Sequence, residues 1–336
     1  LQLMGAPENI LPNASAYLNI IFAGIPFMFV FFIFFLLLRG YGDTKTPMKM
    51  MVFSTLLNII LDPFLIFGIG FIPTLGVRGA AIATIFSRAV AGIAGIYILF
   101  KGKKGLILTL DSLKPDLKEI KKILILGLPS AGEQSIVALG MTFLMSIVSQ
   151  FGTIAVAAYG IGSRILSAVM LPSRGFATAT TTMVGQNLGA DKVDRAERSA
   201  WISSGIILFL LTFLAFLFNL FPRVVISIFN SDPEVIETGV SFLRLVGFSF
   251  GFLGVRFIFG GSFRGAGNTV VAMIIAIIAL WGLRLPLAQF LALNLEWGTI
   301  GIWWGMFLSN FIAAVIAAIW FKKGTWKEKV DRKSVV

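Results

Sequence analysis

The sequence predicts an all-α protein that crosses a membrane several times, and three observations support this prediction. Hydrophobic residues fill 57% of the 336 positions and charged residues only 13%, about half of the ~25% found in soluble domains. The apolar residues gather in nine runs long enough to span a bilayer. Basic residues concentrate in alternate loops between those runs. Lipid is therefore the expected solvent for most of the surface.

Nine membrane spans are predicted along the chain, since about 20 mostly apolar residues cross the hydrocarbon core. Several are bounded by turn-forming residues, as in Gly40-Tyr41-Gly42-Asp43 and Gly265-Ala266-Gly267-Asn268. The predicted spans cover residues 15–38, 48–72, 77–100, 123–149, 153–184, 199–221, 239–262, 270–293 and 299–321.

The lysines and arginines indicate which side of the membrane each loop faces. Twenty of the 28 lie in alternate loops and the C-terminal tail, all on one predicted side. The other side carries only Arg78 and Arg223. Because cytoplasmic loops are enriched in Lys and Arg, segment 102–122 and the C-terminus are predicted to be cytoplasmic in a plasma-membrane protein. This topology also explains the net charge of +12, so nucleic-acid binding is not expected.

The chain has no cysteine and no histidine. That excludes disulfides, thiolate and imidazole metal ligands, Cys nucleophiles and every His-dependent catalytic triad. Asp62 and Glu133 are the only acids predicted within spans. An enzyme therefore lacks an evident catalytic group, and a channel would need a filter or charge ring, which the sequence does not show. We expect no enzymatic activity and no cofactor other than a coupling ion.

An internal repeat relates two parts of the sequence. Arg39-Gly40-Tyr41-Gly42-Asp43-Thr44 recurs 225 positions later as Arg264-Gly265-Ala266-Gly267-Asn268-Thr269. The correspondence extends to both sides with small changes of offset. It pairs Pro7-Glu8 with Pro233-Glu234, Asp62-Pro63 with Leu285-Pro286, Gly76 with Gly298, and the basic run at Lys101 with that at Lys322. Six spans separate the copies, which predicts a parallel repeat about an axis along the membrane normal.

The repeat predicts an architecture of two six-helix lobes. Three spans within 123–222 have no counterpart in the first copy, so three helices, roughly 100–120 residues, are expected ahead of Leu1. On this interpretation 1–101 is the second half of an N-lobe, helices 4–6 of twelve. Segment 102–122 is the linker, 123–321 the C-lobe with helices 7–12, and 322–336 a basic tail.

The turn around Asp62 is the first candidate site. Asn58 and Asp62 are four residues apart and share one helix face, while Pro63 leaves the Ile59 carbonyl without its usual donor. Carboxylate, amide and carbonyl oxygens together suit a hard cation such as Na⁺. A desolvated Asp62 would also suit a proton carrier. The alternative is structural, with Asp62 bracing a proline kink against an arginine such as Arg88.

Glu133 and its neighbour Gln134 form a second candidate site, near the predicted start of the span at 123. Glu133 could attract a cation into a cavity, or it could be an acid favoured by the positive end of the helix dipole. Four methionines could line an adaptable drug cavity or simply fill the core; they are Met141, Met145, Met170 and Met183.

Five sequence runs resemble those of multidrug and toxic compound extrusion (MATE) transporters. They appear in the right order and at the right helix positions along the whole chain. The runs are Leu38 to Pro47, Asn58 to Gly68, Leu75 to Thr84, Gly127-Leu128-Pro129, and Val184 to Ala190.

The resemblance implies two lobes that alternate between inward-open and outward-open states. It implies that a monomer exports cationic amphipathic drugs or metabolites in exchange for Na⁺ or H⁺. In similar family members the Asn and Asp of an Asn-x-x-x-Asp-Pro run hold the ion, here Asn58 and Asp62, with a Thr on the next helix, here Thr84. A further Asp on the first helix would precede residue 1, and Leu285 occupies the position matching Asp62 in the second copy.

The alternative function is a flippase of the same superfamily, acting on lipid-linked oligosaccharides or cell-wall precursors. Such proteins usually line their cavity with basic residues that hold a pyrophosphate. Arginines within or near spans that could form such a cluster are Arg164, Arg174, Arg244, Arg256 and Arg284.

Overall fold

The structure, a computed structural model, describes residues 11–69, 73–102, 107–109 and 114–327, and every regular element in them is helical. The α-helices are α1 Leu11–Tyr41, α2 Lys45–Phe67, α3 Val77–Phe100, α4 Leu117–Ser149, α5 Gly152–Gly189, α6 Val193–Leu220, α7 Pro222–Ser227, α8 Pro233–Gly247, α9 Phe250–Gly265, α10 Thr269–Ile277, α11 Leu285–Gln289 and α12 Gly298–Lys322. Two π-helical segments, Ile278–Arg284 and Phe290–Asn294, flank α11.

The helices confirm the prediction of a polytopic all-α membrane protein. Eight helices in the described residues are long and apolar enough to cross a membrane, or nine if the bent α8–α9 pair is one span. That pair contains the span predicted at 239–262 and bends by 49°. The span predicted at 48–72 ends early, because Gly68 adopts a left-handed conformation (φ 70°) that closes α2 at Phe67.

The chain divides into two compact units, Leu1–Pro115 (the N unit) and Asp116–Val336 (the C unit). The boundary falls inside the predicted linker 102–122. The last residues of that segment are helical, since the Asp116 side chain caps α4 by accepting from the Lys118 backbone N–H at 2.8 Å. Parts of the predicted linker and tail, and Pro7-Glu8, lie outside the described residues.

In the N unit α3 packs against both α1 and α2, and small residues make the approach close. A Cβ atom at Gly79 would lie 2.3 Å from the Leu65 carbonyl oxygen of α2. One at Gly95 would lie 2.5 Å from the ring of Phe34 on α1. Glycine at these positions lets helix backbones meet, which is the usual way that membrane helices associate.

In the C unit α9 is the central helix and packs against α5, α6 and α12. Gly261 and Gly265 face the α5 backbone, where a Cβ atom at Gly265 would lie 2.3 Å from the Thr181 carbonyl oxygen. The Thr181 hydroxyl donates to the Gly261 carbonyl at 2.8 Å. Close backbone contact and this interhelical hydrogen bond fix α9 against α5.

The two copies of the repeat share their backbone conformation at three turns. Gly42 and Gly267 both have positive φ. The backbone N–H groups of Gly42 and Asp43 donate to the carbonyls of Arg39 and Leu38, and those of Gly267 and Asn268 donate to the equivalent carbonyls of Arg264 and Phe263. Positive φ also recurs at the other equivalent glycines, which are Gly76 and Gly298, and Gly102 and Gly324. The repeat seen in the sequence is therefore also present in the described structure.

Replacing Gly42 by alanine is expected to lower the free energy of unfolding by about 1 kcal/mol, because φ of 100° is strained for a residue with a Cβ atom. Thermal unfolding in detergent measures the effect. Gly40→Ala is the control, since Gly40 is helical and its Cβ would meet nothing within 4 Å. Equal destabilisation by both changes would contradict this explanation.

Candidate functional site

The predicted ion-coupling residues Asn58 and Asp62 contact each other on α2. Asn58 Nδ2 donates to Asp62 Oδ1 at 3.2 Å, and both side chains are half-buried. The helix continues through Pro63 to its end at Phe67. Because proline has no N–H, the Ile59 carbonyl lacks its helical donor at this turn. The turn thus offers the Asp62 carboxylate and the Ile59 carbonyl, oxygen ligands of the kind that a hard cation prefers, and the Asn58 amide nitrogen faces the carboxylate.

Thr84 lies on α3, half-buried, in the same N unit. Among the described residues no hydrogen bond joins Thr84 to Asp62 or Asn58, and no ion pair joins Asp62 to Arg88. The residues that the structure describes contain no group of three or more Asp, Glu, His or Cys side chains that could hold a metal ion. The structure therefore places Asn58 and Asp62 in direct contact, and the contribution of Thr84 stays a prediction.

Glu133 lies well inside α4 rather than at its end. The helix begins at Leu117, so the interpretation of Glu133 as a helix-terminus acid is wrong. Its carboxylate accepts from Arg264 Nη1 at 3.0 and 3.1 Å, and the Glu133 side chain is only 13% exposed. Arg264 belongs to the last turn of α9. Gln134 is exposed, and among the described residues no hydrogen bond joins it to this ion pair.

The five arginines considered for a basic cavity lie in different environments. Arg164, Arg174 and Arg244 are exposed on the C unit. Arg284 is only 5% exposed. Arg256 is half-buried, and its Nε atom is buried with no hydrogen-bond partner in the described residues. Only Arg256 and Arg284 are therefore candidates for a site inside the C unit.

Arg284 is held by two neutral polar side chains of α12. Its Nε donates to Ser309 Oγ at 3.2 Å and its Nη2 donates to Asn310 Oδ1. Asn310 Nδ2 in turn donates to Ser249 Oγ at 2.8 Å, and Ser249 occupies the bend between α8 and α9. Sequence reasoning missed Ser249, Ser309 and Asn310. Their signal was polarity within apolar runs, since buried polar side chains in membranes pair across helices.

A cavity of about 330 Å³ reaches Met306, whose carbonyl accepts a hydrogen bond from the Ser309 hydroxyl of this cluster. Met141 and Met145 line it, whereas Met170 is buried in the core and Met183 is exposed on the surface. The structure therefore assigns two of the four methionines to a cavity. The other lining residues are Tyr159, Ser163, Leu166, Ser167, Phe242 and Met306.

Comparisons with known proteins agree with this architecture. The MatE family model matches residues 1–64 and 129–290, which is more than half of the chain. The probable multidrug resistance protein NorM of Thermotoga maritima is 34% identical over 337 residues, covering 96% of this chain and 71% of that protein. The FAD transporter of Shewanella oneidensis is 30% identical over 289 residues, covering 85% and 63%.

A solved structure has nearly the same fold. It is a MOP superfamily transporter from Pyrococcus furiosus, described by a reverse polarity of its binding pocket, with 27% identity and a TM-score of 0.88. The match covers 98% of this chain and 73% of that one. With the family model, the NorM relative and the helical architecture in agreement, the chain belongs to the MatE family of membrane transporters.

Proposed function

We propose that the protein is a cation-coupled antiporter that exports cationic amphipathic drugs or metabolites across the plasma membrane by alternating access, with its C-terminus in the cytoplasm. The hydrogen-bonded Asn58–Asp62 turn is the observation that carries the proposal. It offers a carboxylate and further oxygen ligands within a membrane span, where an ionisable group is costly and therefore usually functional.

In the proposed cycle Na⁺ or H⁺ binds at Asp62 in the outward-open state and favours release of the exported molecule. The ion must bind one state more tightly than the other, because equal affinity shifts no equilibrium. Asn58 would orient the Asp62 carboxylate and add its amide oxygen as a ligand. Thr84 on the neighbouring helix is proposed as a further ligand, and no resident cofactor takes part.

Replacing Asp62 by asparagine is expected to reduce gradient-driven export at least about tenfold, because the change removes the charge and keeps the shape. Ethidium efflux from proteoliposomes containing the full-length protein would be measured under an imposed Na⁺ gradient and then under a pH gradient. The gradient that drives wild-type efflux identifies the coupling ion.

Glu133→Gln is the matched control, since it removes the second acid of the spans and leaves the N unit unchanged. We expect it to keep the ion dependence of the wild type. Full coupled efflux by Asp62→Asn would refute the proposed site, and loss of coupling in Glu133→Gln alone would move it to the C unit.

The geometry gives less support to a flippase for lipid-linked precursors. Such a protein would need several arginines around one pyrophosphate, whereas three of the five candidates are exposed on the C unit and two are inside it. A second candidate cargo for the antiporter is an aromatic anion. The relative named as an FAD transporter and the presence of Arg256 and Arg284 inside the C unit both favour that cargo over a lipid-linked sugar.

A further inference from the structure

The end of α12 carries an apolar groove with a lysine at one end, called here the α12 groove. Its volume is about 290 Å³, and it is lined by Ile316, Ile319, Trp320 and Lys323. These positions are three or four residues apart, so they share one face of the helix over about 10 Å. The membrane span formed by α12 ends at Lys322. The groove therefore runs from the apolar part of the span to the polar surface of the membrane.

The chain that follows α12 is held in place by several contacts. Gly324 has a positive φ of 76° and closes the helix. The Trp326 ring stacks on Phe321 with 4.6 Å between the ring centroids, and its Nε1 donates to the Phe321 carbonyl at 2.8 Å. Lys327 Nζ forms an ion pair with Glu197 of α6 at 2.5 Å. These contacts fix the last turn of α12, so the lysine at the end of the groove has a defined position.

Basic side chains outnumber acidic ones at this end of the C unit. Stretches 191–198 and 322–327 are joined by the ion pair between Lys327 and Glu197, and they contain six basic and three acidic residues. Lys323 is exposed, and within the ranges that the structure describes it forms no ion pair. The charge of Lys323 is thus available to an anionic group from outside the protein.

The equivalent lysine of the N unit has a partner within the protein. Lys101 and Lys323 each stand directly before the equivalent glycine that follows α3 or α12. The Lys101 ammonium lies over the ring of Tyr97, 4.4 Å from its centroid, a favourable cation–π contact. Four residues before Lys323 stands Ile319, which offers no ring to the ammonium group. The two helix ends therefore differ in whether the protein itself engages the lysine.

We propose that the α12 groove binds an anionic phospholipid, with its negatively charged headgroup against Lys323 and one acyl chain along Ile316 and Ile319. Trp320 lies between the two, as expected for a side chain that prefers the boundary between hydrocarbon and headgroups. Basic side chains at the cytoplasmic ends of spans attract anionic lipids, and α12 ends on the side predicted to be cytoplasmic. The inference concerns the lipid around the protein and is independent of its cargo and coupling ion.

A fluorescent label on α12 tests the proposal, because the chain has no cysteine and a single one can be introduced. Val315 is exposed and stands four residues before Ile319, on the same helix face. Val315→Cys would be labelled with bimane and reconstituted in phosphatidylcholine liposomes. Phosphatidylglycerol or phosphatidylcholine with the same brominated acyl chains would then be added as the quencher. We expect phosphatidylglycerol to quench at an about fivefold lower mole fraction, the effect of one lysine on an anionic headgroup.

In the labelled protein, Lys323→Gln should reduce this preference to near unity. Quenching by brominated phosphatidylcholine should stay unchanged, because the apolar part of the groove remains. Lys323→Arg should keep the preference, since it keeps the charge. Lys101→Gln is the matched control, because it removes the equivalent lysine of the N unit and the same amount of charge. It should keep the full preference for phosphatidylglycerol.

Several results would overturn the proposal. No quenching by either lipid would show that the groove takes no acyl chain, and equal quenching by both would show that it does not select charge. An unchanged preference in Lys323→Gln would remove the lysine from the site. An equal loss in Lys101→Gln would assign the preference to the net charge of the protein. Asp62→Asn should behave as the wild type, since the measurement uses no ion gradient and no cargo.

Discussion

Replacement of Asn310 by leucine is expected to lower the free energy of unfolding of the C unit by about 3 kcal/mol. The change removes the acceptor of Arg284 Nη2 and the donor to Ser249 Oγ, both in the buried interior. Arg284 would then keep its charge with only Ser309 as a partner. Thermal unfolding in detergent should show a midpoint roughly 5 to 10 °C lower.

The double variant Arg284→Met with Asn310→Leu separates the charge from the shape of these residues. Replacing both partners of a buried polar pair by apolar groups of similar volume is often nearly neutral. We therefore expect the double variant to recover more than half of the stability lost by Asn310→Leu. Arg284→Met would also be measured alone. If the stability lost by the double variant equals the sum of the losses in the two single variants, the arginine and the amide do not stabilise each other.

Replacement of Gly301 by leucine is expected to prevent stable folding of the C unit. Gly301 and Gly305 bring α12 against the backbone of the segment before it, where a Cβ atom at Gly301 would lie 2.6 Å from the Ala292 nitrogen. One at Gly305 would lie 2.6 Å from the Ala288 nitrogen. A leucine side chain there would overlap main-chain atoms, at a cost of about 3 kcal/mol, the upper end of the usual range for overpacking. Loss of the monodisperse peak in size-exclusion chromatography measures the effect.

Gly205→Leu is the matched control. Gly205 also lies within a membrane-spanning helix, α6, but a Cβ atom there would meet nothing within 4 Å. This variant should be purified with a normal elution profile. A normal profile for Gly301→Leu as well would show that α12 and its neighbour are less closely packed than these distances indicate.

The membrane spans could be predicted because apolar length is a local property of the sequence. The repeat could also be predicted, because the residues around Gly42 recur around Gly267. Both glycines have positive φ in the structure, which explains why glycine stands at both positions. The bend at Ser249 has no proline and left no comparable signal. The hydrogen bond that Ser249 accepts there comes from Asn310, 61 positions away, and spacing along the chain does not predict such a contact.

The candidate sites show the same division between local and distant information. Asn58 and Asp62 could be paired from their spacing, because four residues make one helical turn. Glu133 and Arg264 could not, since 131 positions separate them. Sequence alone assigned Arg264 to a loop and Glu133 to a helix start. Both assignments depended on where a helix begins or ends: α4 begins at Leu117, and α9 ends at Gly265. Helix ends are the least certain part of any prediction from sequence.

The bend between α8 and α9 can convert a small local movement into a larger one. Asn310 donates a hydrogen bond to Ser249 at the bend, and the 15-residue α8 extends from it over about 22 Å. A rotation of about 10° at the bend would move the far end of α8 by about 4 Å. An ångström-scale adjustment around Arg284 would therefore be enlarged several-fold at the distal end of α8.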